Sequence, residues 1–516
     1  MDNRAIRFIL IIIIILGIFF RFYNLDRKIY WHDEVYTIFR SAGFTRDEID
    51  RELFTNQLIP SRELLKYLDI KPKSSIGDTI RSLVTEDPQH PPLYFVINRF
   101  WMQLFGNSTF SLRFLPALIS LISLPLIYYL TLETFRSWTN TETSTQASFM
   151  SLIAVALLAL SPVDILFAQT VRQYSSLTLG IIASAYFLIK ALRLSRLFNW
   201  IYFSLSVAFS LYIHPFFALN LIAFGLFVIL LEQKKLLSFL IFSSIALIPY
   251  SPWIVVMLSN LTRVTSTTNW ATIDVGFDYL AKLWTLSFTS LFFDLDVGFN
   301  NIFTYLLRLP FLLVIIGSVF YLFKNTPQKT SFFVFFSAFI PFLILVSADL
   351  VLGGKRSAVT RYLISCFPFV QIVVAHLLSK LITTRKTIGL TITALVFIGS
   401  ISSVVVSSQA DTWWNKDLSY NNASHIKIVN QQKEPIVISD LGNDFTNTGD
   451  LIAMSPRFND DVSLLLLSAD YPLTKTIDSL GKQLDSHPIF IFRPSQHLLS
   501  QLTTLKLSGF DYMLLY

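Results

Sequence analysis

The stretch RFILIIIIILGIFFR, from Arg7 to Arg21, is apolar throughout between its two arginines. A helix needs about 20 mostly apolar residues to cross a hydrocarbon core roughly 30 Å thick, and positions 5–22 supply them. No small-residue cleavage site follows, so the segment reads as an uncleaved signal anchor rather than a signal peptide. Runs of the same character recur at 111–133, 148–168, 174–192, 199–213, 215–231, 236–258, 301–323, 331–351, 361–382 and 387–408. The pattern predicts a polytopic α-helical membrane protein of about eleven transmembrane helices. Composition agrees: 53% of the 516 residues are hydrophobic and 15% are charged, against roughly 25% charged in a soluble domain. Leu93–Phe105 is apolar but too short to span, and with Asn98 and Arg99 inside it reads as a helix lying at the interface.

Short loops rich in Lys and Arg stay in the cytoplasm. Placing Arg4 and Arg7 there also places Arg136, the Lys190–Arg196 cluster, Lys234 and Lys235, Lys324 and Lys329, and Lys380 to Lys386 inside. Gly353–Arg361 breaks the rule, because Lys355, Arg356 and Arg361 then face outward. The same phasing exposes a large loop, 23–110, and a tail beginning near Gln409. The loop carries amphipathic stretches at Arg46–Phe54, Arg62–Leu68 and Ile76–Val84, expected as short helices on the membrane surface. The tail alternates apolar runs (Ile436–Ser439, Val462–Leu467, Pro488–Phe492, Tyr512–Tyr516) with helical patterns at Leu473–Leu484 and His497–Leu505. That order predicts a small extracytoplasmic α/β domain over 409–516, following a transmembrane module over 1–408.

The unusual polar residues gather on the outward side. They are Trp31-His32-Asp33-Glu34, the Asp87–Tyr94 segment with His90, Asp164 with Arg172-Gln173-Tyr174, His214-Pro215, and Lys355, Arg356, Arg361 and Tyr362. Ionisable residues at membrane depth are costly unless they face a cavity or a partner, so clustering at one surface marks a site. The net charge of +7 is scattered in short clusters between apolar runs, which argues against nucleic acid as a partner. A single cysteine, Cys366, excludes an internal disulfide, a CxxC pair and a cysteine-rich zinc site. Asp33, Glu34, His90 and His214 are metal-capable types, but no spacing compels a metal site, and no cofactor is implied.

Six of these features occur in one order: Trp-x-Asp-Glu at 31–34, His90-Pro-Pro-Leu-Tyr94, Ser111-Leu-Arg-Phe114, Gln169-x-x-Arg172-x-Tyr174, His214, and Arg361-Tyr362. Over about residues 5–380 the chain resembles the C-type membrane glycosyltransferases, specifically the protein-mannosyltransferase and aminoarabinose-transferase group. Many relatives have an acid two residues before the arginine; this chain has Thr170 there, with Asp164 as the acid nearby. The C-terminal domain lies outside the resemblance. What it implies is transfer of a sugar, with inversion, from a polyprenyl-phosphate donor in the cell membrane to an acceptor outside the cytoplasm.

Such a reaction needs cations for the phosphate leaving group, and Lys355, Arg356 and Arg361 suit that role. It also needs a carboxylate to take the acceptor's proton. Asp33 is the candidate base, with Glu34 orienting it or the acceptor. His90, Arg172, Tyr174, His214 and Tyr362 are candidate substrate-binding residues. Two rivals remain. An oligosaccharide ligase or polymerase acting on a polyprenyl-diphosphate glycan usually carries its large outer loop late in the chain. A lipid or solute transporter needs polar residues reachable from both sides, often on internal repeats.

Overall fold

A computed structural model of the chain describes residues 3–137, 144–443, 446–468, 473, 476–477, 487–507 and 511–516. Contacts divide it into two compact units. One comprises Met1–Leu25, Asp87–Tyr94 and Arg113–Gln409; the other comprises Asp26–Glu86, Phe95–Leu112 and Ala410–Tyr516. The protein is a multi-pass helical membrane protein. Eight described helices are long and apolar enough to cross a membrane, and the pair Thr145–Leu160 and Pro162–Ala168, bent by 57°, makes a ninth. The two other apolar runs form helices Leu197–Ile213 and Phe217–Leu231, of 17 and 15 residues. At 1.5 Å per residue they rise only about 25 and 22 Å, which is why the expected eleven is not reached on length. The run expected at 361–382 is also later than its hydropathy suggests: its helix is Phe367–Thr384, and Arg361 and Tyr362 sit in a preceding 3-10 turn, Thr360–Ser365.

The second unit is built on a five-stranded sheet. Its strands are β1 (Leu58–Pro60), β2 (Ile436–Ser439), β3 (Ser463–Leu466), β4 (Ile489–Phe492) and β5 (Met513–Leu515), in the order β1-β3-β2-β4-β5. The last four pair in parallel, and β1 pairs antiparallel with β3. β2 and β4 are buried along their whole length, which is how a strand covered on both faces reads: apolar without alternation. Ile436, Ile438, Leu465, Ile489, Ile491, Leu498 and Leu502 form the core. The four tail strands lie where the apolar runs put them, and the helix expected at His497–Leu505 is Gln496–Leu507. The pattern at Leu473–Leu484 lies largely outside the described residues. β1 comes from the large loop and was not legible. The loop's three amphipathic stretches are helical, at Arg46–Leu53, Ser61–Leu68 and Ile76–Glu86. Arg99, in the short apolar helix Leu93–Phe105, is buried and donates to the carbonyls of Ser41, Ala42 and Ser74.

In the first unit, the break at Leu160–Pro162 shows how an interrupted helix is held. Pro162 has no N–H to return to the carbonyl four residues earlier, so Leu158 O is orphaned. The N–H of Val163 goes instead to Ser290 O, at 3.2 Å, which orphans Ala159 O as well. Arg21 answers both: Nη2 donates to Leu158 O at 2.8 Å, and Nη1 donates to Ala159 O and to Gly17 O. Its Nε donates to Ser120 Oγ at 3.1 Å. The approach is close enough that a Cβ on Gly17 would lie 2.2 Å from Ala159 O. Two other polar side chains finish the C-terminal end of the first helix, Asn3–Phe22. Gln169 Nε2 donates to Phe20 O and Tyr23 O at 2.8 and 2.9 Å, and Arg113 Nη1 donates to Leu25 O at 2.8 Å.

Gly17→Ala therefore forces a backbone shift at the break and should destabilise by about 1–3 kcal/mol. Gly317→Ala, where a Cβ meets nothing within 4 Å, should be neutral or stabilise by up to about 1 kcal/mol through helix entropy. Apparent melting temperatures of the two purified variants in detergent check the opposite signs.

Candidate functional site

In the first unit, the expected site residues lie where apolar helices stop. His90 precedes Pro91-Pro92 in a turn closed by His90 N donating to Asp87 O at 2.9 Å. The turn sets His90 Nδ1 3.1 Å from Asp87 Oδ2. Arg172 lies in the non-helical link between Pro162–Ala168 and Tyr174–Leu194, is 4% exposed, and places Nη2 3.1 Å from His90 Nε2. A guanidinium can only donate, so Nε2 accepts and Nδ1 carries the proton toward Asp87. The tautomer is fixed by its neighbours, and His90 orients Arg172. The Arg172 guanidinium also lies over the Tyr174 ring, 5.8 Å from its centroid.

His214 occupies the break between Leu197–Ile213 and Phe217–Leu231, made by Pro215, and its ring meets that of His90 edge-on at 6.2 Å. Its Nδ1 accepts from Phe216 N at 3.2 Å, which makes Nε2 the donor. Burial holds His214 well below its ordinary range, and the positive charges of Arg172 and Arg361 push it the same way. Phe216 in turn packs edge-on against Tyr362 at 4.4 Å.

The 355–361 cluster divides. Arg356 Nη1 lies 3.1 Å from Asp349 Oδ1, and the backbone N–H groups of Arg356 and Ser357 donate to the same buried carboxylate at 3.0 and 2.6 Å. A Cβ on Gly354 (φ 130°) would stand 2.6 Å from the Arg356 guanidinium and 2.7 Å from Ala271 O, so glycine is required there. Arg356 thus folds its own loop. Lys355 and Arg361 instead both lie over the Trp270 ring, at 5.5 and 5.2 Å, and Arg361 also covers Tyr362 at 5.6 Å.

In the second unit, Asp33 and Glu34 open the helix His32–Ala42 and have different surroundings. Glu34 is fully buried; it accepts from Trp31 N at 3.0 Å and pairs with buried Lys416 at 3.4 Å. Lys416 Nζ also donates to Ile29 O at 2.6 Å. Glu34 thus ties down the helix start. The Asp33 side chain is 18% exposed, with Oδ1 3.4 Å from His32 Nε2. His32, Asp87, Trp270 and Lys416 were not singled out as site residues. The signal for Asp87 was there, three residues before His90 in one turn motif. Among the described residues, no three His, Cys, Asp or Glu side chains gather as a metal ion would require.

Comparison with known proteins follows the same lines. Residues 89–256 match the family model of dolichyl-phosphate-mannose-protein mannosyltransferase. A search of curated protein sequences finds no match. Among solved structures, ArnT from Cupriavidus metallidurans in the apo state aligns with a TM-score of 0.54 at 12% identity, over 99% of this chain and 93% of that one. The same protein bound to undecaprenyl phosphate aligns with a TM-score of 0.53 at 12% identity, over 96% and 90% of the two chains. The fold is thus similar to that of ArnT, and the family match over residues 89–256 agrees with a membrane glycosyltransferase.

Glu34→Gln leaves Lys416 buried without its carboxylate and should cost about 3 kcal/mol. Arg356→Ala removes a charged hydrogen bond to Asp349, a loss of about 2 kcal/mol. Lys355→Ala should stay within about 0.5 kcal/mol of the parent. Thermal melting of the three purified variants separates the residues that fold the loop and helix from the one available to a ligand.

Proposed function

We propose that this glycosyltransferase takes a sugar from a polyprenyl-phosphate donor and passes it, with inversion, to an acceptor hydroxyl on the non-cytoplasmic side of the cell membrane. Arg172, Arg361 and Lys355, set among His90, His214 and Trp270 at the ends of apolar helices, carry the reading. A phosphate leaving group accumulates negative charge as the glycosidic bond breaks, and fixed cations in surroundings poor in water stabilise that charge more than the ground state. Arg172 and Arg361 offer forked donors, Lys355 a point charge, and neutral His214 a single N–H. Tyr174, Tyr362 and Trp270 present ring faces and edges to the same cations. The ArnT neighbour bound to undecaprenyl phosphate supports a lipid phosphate as the ligand, recruited from the surrounding membrane lipids.

In the proposed step, the acceptor oxygen attacks the anomeric carbon while Asp33 takes the hydroxyl proton. The anomeric C–O bond breaks, and the lipid phosphate leaves with its electron pair. Attack opposite the leaving group inverts the anomeric centre. Asp33 fits the role better than Glu34, because it keeps exposed surface while Glu34 is buried and paired. Glu34 then serves by fixing the helix that carries Asp33.

Transfer of radiolabelled sugar from a panel of polyprenyl-phosphate sugars, in membranes carrying the parent or Asp33→Asn at equal expression, tests the reading. Transfer from one donor, reduced at least about 100-fold in the variant, is expected. Equal transfer in both removes Asp33 as the base. Transfer only from a polyprenyl-diphosphate glycan makes the chain a ligase.

A further inference from the structure

The four parallel strands of the second unit run in the spatial order β3-β2-β4-β5. The chain moves one way from β2 to β3 and the other way to β4, so the order reverses between β2 and β4. In open α/β sheets, the crevice beyond the carboxyl ends of two such strands is where ligands bind. Here the crevice is filled by the chain's own polar residues. Asn447 Nδ2 donates to Asp440 O and to Arg493 O, both at 2.9 Å, tying the ends of β2 and β4 together. Arg493, just past β4, has φ 37°, a left-handed conformation that needs surrounding support. Its guanidinium donates to Asp450, which is fully buried and also accepts from Asn422 Nδ2 at 2.6 Å.

The next link is Ser419, whose Oγ donates to Asp450 Oδ1 at 2.6 Å. Beyond it is His32, the residue before Asp33. His32 places both its backbone N, at 3.1 Å, and its Nδ1, at 2.9 Å, against Ser419 Oγ. Hydrogen-bond bookkeeping then fixes the protons. Asp450, paired with Arg493, is ionised and can only accept, so the single hydroxyl proton of Ser419 is committed to it. Ser419 Oγ must therefore accept from His32, and Nδ1 carries a proton. The other ring nitrogen, Nε2, lies 3.4 Å from Asp33 Oδ1. A lone pair facing a carboxylate oxygen there would repel it, so a second proton lies between the two. Asp450 Oδ2, 3.9 Å from Nδ1, adds a second anion beside the ring. Two carboxylates flank the imidazole; Asp450 also holds Arg493, and the Arg40 guanidinium lies over the Tyr36 ring, 5.2 Å from its centroid. Of the other groups around His32, Tyr36 meets the ring edge-on at 6.2 Å, and Glu34 is occupied by Lys416.

We propose that His32 is a positioning residue for Asp33: an imidazolium, oriented through Ser419 and Asp450 of the C-terminal segment, that keeps the Asp33 carboxylate ionised and aimed. The inference rests on Asp33 being the base and gives the C-terminal sheet a place in the reaction. Because His32 already holds both ring protons, the acceptor's proton goes to Asp33 and stays there until product leaves. In this reading the tail sets the charge of the group that activates the acceptor. The topological crevice of its sheet holds that charge relay in place of a ligand.

Two readouts test this. The first is labelling of histidines by diethyl pyrocarbonate across pH, resolved by peptide mass spectrometry, since the reagent attacks only unprotonated imidazole. In the parent, the His32 midpoint should lie above the ordinary imidazole value of about 6.5, and Asp33→Asn should lower it by about one pH unit. The second is the acid limb of sugar transfer from the donor that the membrane assay identifies. His32→Gln should move that limb upward by about one pH unit, and Ser419→Ala, which removes no charge and serves if His32→Gln misfolds, should move it the same way. A His32 midpoint unchanged by Asp33→Asn overturns the pairing, whatever the transfer assay shows. A lowered midpoint with an unmoved acid limb in both variants overturns the role in the reaction and returns doubt to Asp33 as base.

Discussion

A helix interrupted among apolar neighbours frees N–H and C=O groups that no water is present to satisfy, and the first unit is organised around such interruptions. Pro162 opens one break and Pro215 another; Gly353-Gly354 ends a third helix, and Pro91-Pro92 precedes a fourth. Each break needs polar side chains nearby, so each is also a place where polar chemistry is tolerated. Arg21, Gln169 and Arg113 satisfy orphaned carbonyls. His90, Arg172, His214, Lys355 and Arg361 occupy neighbouring breaks. The constraint that makes a membrane helix hard to break thus determines where the candidate site forms.

Charges in this chain divide by what answers them. Arg21 and Arg99 are spent on backbone carbonyls, and Arg356 and Arg308 on single buried carboxylates. Arg172 is oriented by a histidine whose tautomer an aspartate sets. Lys355 and Arg361 rest on an aromatic ring, an attraction worth about 0.5–1 kcal/mol at exposed sites and therefore easily shared with an arriving anion. The same sorting separates the two acids of the second unit: Glu34 is consumed by its helix start and Lys416, while Asp33 faces a histidine and keeps some exposure.

Much of the fold was legible because its signals are local. Apolar runs located the helices, and unalternating runs such as Ile436–Ser439 and Ile489–Phe492 located buried parallel strands. Proline and glycine marked the breaks, although the span placed at 148–168 did not announce its 57° bend. What escaped depends on distant partners. β1 is three residues long and exists only because β3, some four hundred positions later, offers an edge. Lys355 and Arg356 are indistinguishable in sequence; Asp349 alone decides which folds the loop. His32 had no local signal, since its protons are set by Ser419, 387 residues away.

The central claim is that Arg172 and Arg361 recognise a lipid phosphate. Equilibrium binding of radiolabelled undecaprenyl phosphate to the purified protein, competed with the uncharged polyprenol, tests it most directly. The account predicts saturable binding that the alcohol fails to displace, weakened about tenfold by either Arg172→Met or Arg361→Met, as loss of one charged hydrogen bond implies. Equal affinity for the phosphate and the alcohol, or binding unchanged in both variants, would contradict it.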